Sequence, residues 1–196
     1  MAVDQSAFQT QGRAAAAPST FIVKQNGQLA EVSIPREQFQ AVSNGFHRLK
    51  FKAMTQPFEL DGQFGRSKNV RVVFQVRGGP EDKRMFSQLL SIAKPGENGS
   101  WKSNVSAKSA PGQMIGAIRG RAIGDGEPIN FLEFLNGEFM AMVKQETKAG
   151  ENGLETRCSV VKDTWAPAGQ TALPPELQPV PQAAAAPANP FLDSDD

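Results

Sequence analysis

Two stretches, FHRLKFKAM (residues 46–54) and NVRVVFQVR (residues 69–77), decide how the rest of this chain is read. In the first, Leu49, Phe51 and Ala53 alternate with Arg48, Lys50 and Lys52. In the second, Val70, Val72, Phe74 and Val76 alternate with Arg71, Val73, Gln75 and Arg77. A period of two puts successive side chains on opposite faces of an extended strand, so each stretch predicts a strand with one apolar and one largely cationic face.

Working outward, TFIVKQ and QLAEVSI flank Asn26-Gly27, the pair that best fits a type I′ turn, and predict an N-terminal hairpin. Pro35 opens PREQFQAV, a short helical turn. TQPFELDGQFGRSKN reads as the loop between the first two strands of the main domain. KRMFSQLLSI is read as a third strand, because Gly78-Gly79-Pro80 and Lys94-Pro95-Gly96 leave little length for a helix. After a Gly, Ser and Asn loop around Trp101, Met114, Ile115, Ile118 and Ile123 carry helical spacing, against which three glycines weigh. GEFMAMVKQET and LETRCSVVKD predict two final strands, joined by a hairpin loop over 148–153.

The fold class expected is therefore mainly β. The order after residue 45, three strands, a helix and two strands, is that of a five-stranded OB-like barrel with one helix between strands 3 and 4. SH3-like barrels and small sandwiches share parts of this plan. Residues 20–166 form the expected domain, with 20–45 as the N-terminal hairpin extension. Residues 1–19 are expected to be disordered. Residues 167–188 form a Pro and Ala rich linker and 189–196 an acidic tip; from 164 onward there are seven prolines and no Lys or Arg. Such a segment buries too little apolar surface to offset the entropy of ordering it.

The net charge is only +1, yet residues 46–121 hold fourteen Lys or Arg against five Asp or Glu. A block of that density is a footprint for a polyanion. One cysteine and one histidine rule out an internal disulfide and any multi-cysteine or multi-histidine metal site. The chain lacks GxxxxGK[ST], HExxH and GxSxG, so no catalytic role, metal or cofactor is expected. Gly124 and Gly126 of GDGEP read as a turn, and Cys158 as a small core residue. No run of roughly 18 apolar residues suggests a membrane span, and no leader is recognisable, which fits a reducing cytoplasm.

Interleaved with the basic residues are aromatics. Arg48, Lys50, Lys52, Arg66, Lys68, Arg71 and Lys102 are the expected phosphate ligands, and Phe64 and Trp101 the expected stacking platforms. Single-stranded DNA calls for this mixture, since cations track phosphates and flat rings stack on any base. The competing expectation for both rings is that they fold back as lids on the barrel mouth. Phe51, Phe74 and Phe139 belong to the apolar sets of their strands and are expected in the core.

The expected strand order, the Pro and Ala rich linker and the tip Asn189-Pro190-Phe191-Leu192-Asp193-Ser194-Asp195-Asp196 together resemble single-stranded DNA-binding proteins of bacteria and their phages. In the bacterial proteins the acids precede Pro-Phe; here Pro190-Phe191 comes first, which favours a phage-type protein acting in the host cytoplasm. The resemblance implies a role in DNA replication, recombination or repair. It assigns Phe191, Leu192, Asp193, Asp195 and Asp196 to the capture of partner proteins, and to competition for the DNA site. Homo-oligomer formation stays open. The alternatives are a virion or scaffold component with a recruiting tail, an RNA-binding protein on the same fold, and, least favoured, a small enzyme.

Overall fold

In the computed structural model, residues 20–62, 65–124, 126–150 and 153–169 are described. They build one antiparallel sheet and one helix. The strands are β1 (Thr20–Gln25), β2 (Gln28–Ser33), β3 (Gly45–Met54), β4 (Phe58–Gly62), β5 (Gly65–Val76), β6 (Met85–Pro95), β7 (Trp101–Ser103), β8 (Glu138–Gly150), β9 (Gly153–Val160) and β10 (Ala166–Pro167). Helix α1 spans Ala110–Arg119, and single 3-10 turns lie at Arg36–Gln38 and Phe131–Phe134.

The main path through the sheet runs β10-β8-β3-β5-β6-β7. β9 pairs with β8, β4 with β5, and β1 with both β2 and the end of β3. The sheet curls: the Val160 N–H donates to Oε1 of Gln88 at 2.8 Å, tying the end of β9 to β6. No helix among the described residues is long and apolar enough to cross a membrane.

The expected strand, strand, strand, helix, strand, strand order is present as β3, β5, β6, α1, β8 and β9. Five strands plus a hairpin is nevertheless an undercount. The stretch read as the first interstrand loop folds into β4 and the start of β5, paired from Phe58↔Asn69 to Gly62↔Gly65. The Trp101 loop holds β7, and the expected six-residue loop at 148–153 contracts because pairing continues to Gly150↔Gly153. Gly and polar residues lower strand propensity, but a paired neighbour supplies the backbone hydrogen bonds that such residues still need.

The N-terminal hairpin is joined to the main sheet. Asn26 (φ 49°) and Gly27 (φ 83°) both adopt the left-handed backbone that a type I′ turn needs. Ile22 and Val23 then pair with Met54 and Ala53 of β3.

The core forms where the alternation predicts. Leu49, Phe51, Val70, Val72, Phe74 and Val76 are buried, with Met114 and Ile115 of α1 and Phe139, Ala141 and Val143 of β8. Phe74 is the hub: its ring centroid lies 6.4 Å from Phe51, 5.5 Å from Phe86 and from Phe139, and 5.9 Å from Trp165. Each such side chain gains about 1.5–3 kcal/mol by leaving water.

Ala53 corrects the expected faces. The β3–β5 register shifts between Phe51 and Ala53, leaving Lys52 as the extra residue of a bulge. Beyond it the phase inverts, so Met54 joins the main core while Ala53 packs with Phe21, Val23 and Val73 in a second cluster.

The glycines that weigh against a helix have tertiary reasons. A Cβ on Gly112 would lie 1.8 Å from the Ser106 carbonyl oxygen, so only glycine admits this close approach. Gly120 caps the helix in the left-handed conformation (φ 71°), and the Ser109 side chain accepts from the Gly112 N–H at the other end. Ile123 is buried beyond the helix end. Trp165 packs against the core. It stacks on Phe139 at 5.1 Å, and Ala166 and Pro167 pair with Met140 and Phe139.

Candidate nucleic-acid interface

The β4–β5 arm and the β6–β7 hairpin lie side by side. Lys68 pairs with Ala93, which pairs with Ser103; Pro95 pairs with Trp101. On a pleated surface, residues two apart share a face, so Arg66, Lys68 and Trp101 converge. The Arg66 Cζ lies 5.6 Å and the Lys68 Nζ 4.7 Å from the Trp101 ring centroid. Both are cation–π distances. Trp101 is partly exposed, and Lys102 beside it points to solvent.

Three of the nine expected DNA ligands, Arg66, Lys68 and Trp101, are thereby gathered around one aromatic face. Trp101 packs in neither core cluster, and two cations lie over its ring. Arg66 is also ion-paired with Glu59 on β4. Phe64 lies outside the described residues.

The remaining expected ligands stand elsewhere. Arg48 is ion-paired to Glu138 at 2.6 Å, and the same carboxylate draws Arg77 Nε to 3.5 Å. Lys50 is the strand-register partner of Glu138, with no ion pair between the two among the described residues. The sequence signal for three cations on β3 thus missed the counter-ion of Arg48, which arrives from β8, 90 residues away. Lys52 sits apart at the bulge.

Arg71 is half-buried on β5. Its Nη1 reaches only Ser87 Oγ at 3.5 Å, and its buried Nε has no hydrogen-bond partner. Burial, and next the charge of Arg157, lower its pKa from the ordinary guanidinium value. Among the described residues no carboxylate pairs with this partly desolvated cation, which makes it a site that an anion would relieve.

Other titratable groups serve the frame. Glu127 accepts from the Gly124 N–H at 2.9 Å and holds Arg119 and Arg121, so GDGEP is a pinned turn. The His47 Nε2 lies 2.9 Å from the Ser43 carbonyl and 4.0 Å from Glu81. Cys158 is buried, its sulfur accepting from the Val42 N–H at 3.2 Å. Among the described residues no three His, Cys, Asp or Glu side chains come together as metal ligands would. The tip residues Phe191, Leu192, Asp193, Asp195 and Asp196 lie outside the described residues.

No family model, curated protein or solved structure gives a significant match to this chain.

Proposed function

We propose that the protein binds single-stranded DNA without sequence preference, protecting and straightening the strand during replication or recombination, and performs no chemistry. The observation that carries this reading is the placement of Arg66 and Lys68 around the Trp101 ring, with Lys102 adjacent. Cations beside a partly exposed ring offer phosphate contacts and a stacking face within one nucleotide's reach.

The strand path supports an OB-type barrel as the scaffold. Strands β3, β5 and β6 form a meander, α1 follows, β8 returns to the free side of β3, and β9 turns back toward β6. On that plan the β4–β5 arm is the long loop between the first two barrel strands, one of the loops with which such barrels hold oligonucleotides. The proline-rich C-terminal sequence and its Phe191-Leu192-Asp193 core supply an apolar plug beside negative charge, suited to recruiting replication or recombination proteins.

Titration of dT oligomers into a Trp165→Phe background, which leaves Trp101 as the sole tryptophan, tests the reading. Trp101 emission should be quenched, and Trp101→Ala should cost about 1–3 kcal/mol of binding. Unchanged emission at saturating DNA would remove Trp101 from the interface. Parallel titration with rU oligomers separates DNA from RNA preference through the 2′-hydroxyl.

A further inference from the structure

Beyond the Trp101 cluster, β6 has a second exposed tract. On the side away from β5, β6 is covered by β7 only over Ala93–Pro95. Toward its middle this edge opens into a groove of about 420 Å³ between β6, the segment leading into α1, and the segment following β9. Leu89, Ser91, Asn104, Lys108 and Lys162 line it.

Three features distinguish this groove from ordinary surface. Its described lining carries two lysines and no carboxylate, and neither lysine forms an ion pair among the described residues. The Ser91 Oγ is buried without a hydrogen-bond partner, although the Asn104 Nδ2 donates to the Ser91 carbonyl at 3.4 Å. Leu89, 43% exposed, stands directly across from Arg71, the cation with no carboxylate partner among the described residues. Charge and an apolar step therefore share one face, running from Arg71 over Leu89 to the groove, with an unused hydroxyl beneath it. An acidic peptide would find the same charges, but the exposed side chains suit alternating phosphates and apolar sugar or base faces better.

We propose that this groove is a second phosphodiester subsite, in which Lys108 and Lys162 neutralise the backbone of the strand that Trp101 engages. The proposal rests on the single-stranded DNA reading and names residues that the alternation in the sequence never singled out as a pair. Proximity is built into the chain. Trp101 and Asn104 are three residues apart, about 10 Å in extended backbone, so the groove lies a short step from the ring, around the edge that β7 forms.

The test is the salt dependence of dT-oligomer binding by the full chain and by Lys108→Gln/Lys162→Gln. Each phosphate neutralised on a single strand contributes about 0.7 to the log–log slope, so the double variant should lose about 1.4. Trp101 quenching at saturation should persist. Lys108→Arg/Lys162→Arg should restore the slope, and Lys83→Gln/Lys144→Gln, on exposed lysines outside the groove, should leave it unchanged. An unchanged slope in the groove variant, or an equal loss in the control pair, would overturn the subsite while leaving the Trp101 reading intact. Absence of any binding by the full chain would overturn both.

Discussion

Trp165 offers the sharpest test of where the folded domain ends. Its ring meets Phe139 at 5.1 Å and Phe74 at 5.9 Å, which places it against the hub of the core. Truncating a packed Trp or Phe to Ala costs about 3–5 kcal/mol, and aromatic pairing adds about 0.5–1.5 kcal/mol per contact. Two features reduce the figure: the ring is only partly buried, and its buried Nε1 has no hydrogen-bond partner, so removing that N–H relieves about 1 kcal/mol. A net loss of about 3 kcal/mol is expected for Trp165→Ala. At about 2–4 °C per kcal/mol for a domain of this size, the Tm should fall by about 6–12 °C. Trp165→Phe keeps the stacking and removes the unpartnered N–H, so its stability should stay within about 1 kcal/mol of the parent. Urea unfolding followed by far-UV circular dichroism reads both variants without relying on tryptophan emission. If Trp165→Ala unfolds within about 0.5 kcal/mol of the parent, the ring belongs to a linker and the β8–β10 pairing contributes nothing.

Gly112→Ala should destabilise the fold by at least about 1–3 kcal/mol, the usual range for overpacking, because its Cβ would meet a backbone carbonyl that cannot swing aside; thermal melts compare it with Gly169→Ala, at an exposed position with open space around it and no left-handed backbone. The Glu127 carboxyl is held below the usual carboxylate range, first by the Gly124 N–H and then by Arg119. A depressed pKa contributes stability above the unfolded value that is lost as pH falls through the folded one, so Glu127→Gln should flatten the pH dependence of stability across the acidic range. Parallel slopes for parent and variant in urea titrations at a series of acidic pH values would disprove that contribution.

Periodicity determined much of this protein. Alternation over 46–54 and 69–77 specified two strands and nearly all of their buried faces, because a pleated chain has no other way to sort apolar from charged side chains. Asn26-Gly27 specified its turn for an equally local reason, the left-handed backbone both residues tolerate. Arg66, Lys68 and Trp101 were visible as a composition, and they do converge. What the sequence could not contain is which strand lies beside which. The bulge at Lys52 inverts a phase that local reading extends unbroken. Glu138 neutralises Arg48 only because β8 pairs with β3, and Trp165 leaves its proline-rich context only because Phe139 offers it a ring. Lys108 and Lys162 share a groove because α1 and the end of β9 meet at one edge of β6. Local pattern sets the conformation of a segment, whereas counter-ions, cavities and bulges are properties of pairs of segments, and those pairs exist only once the chain has closed on itself.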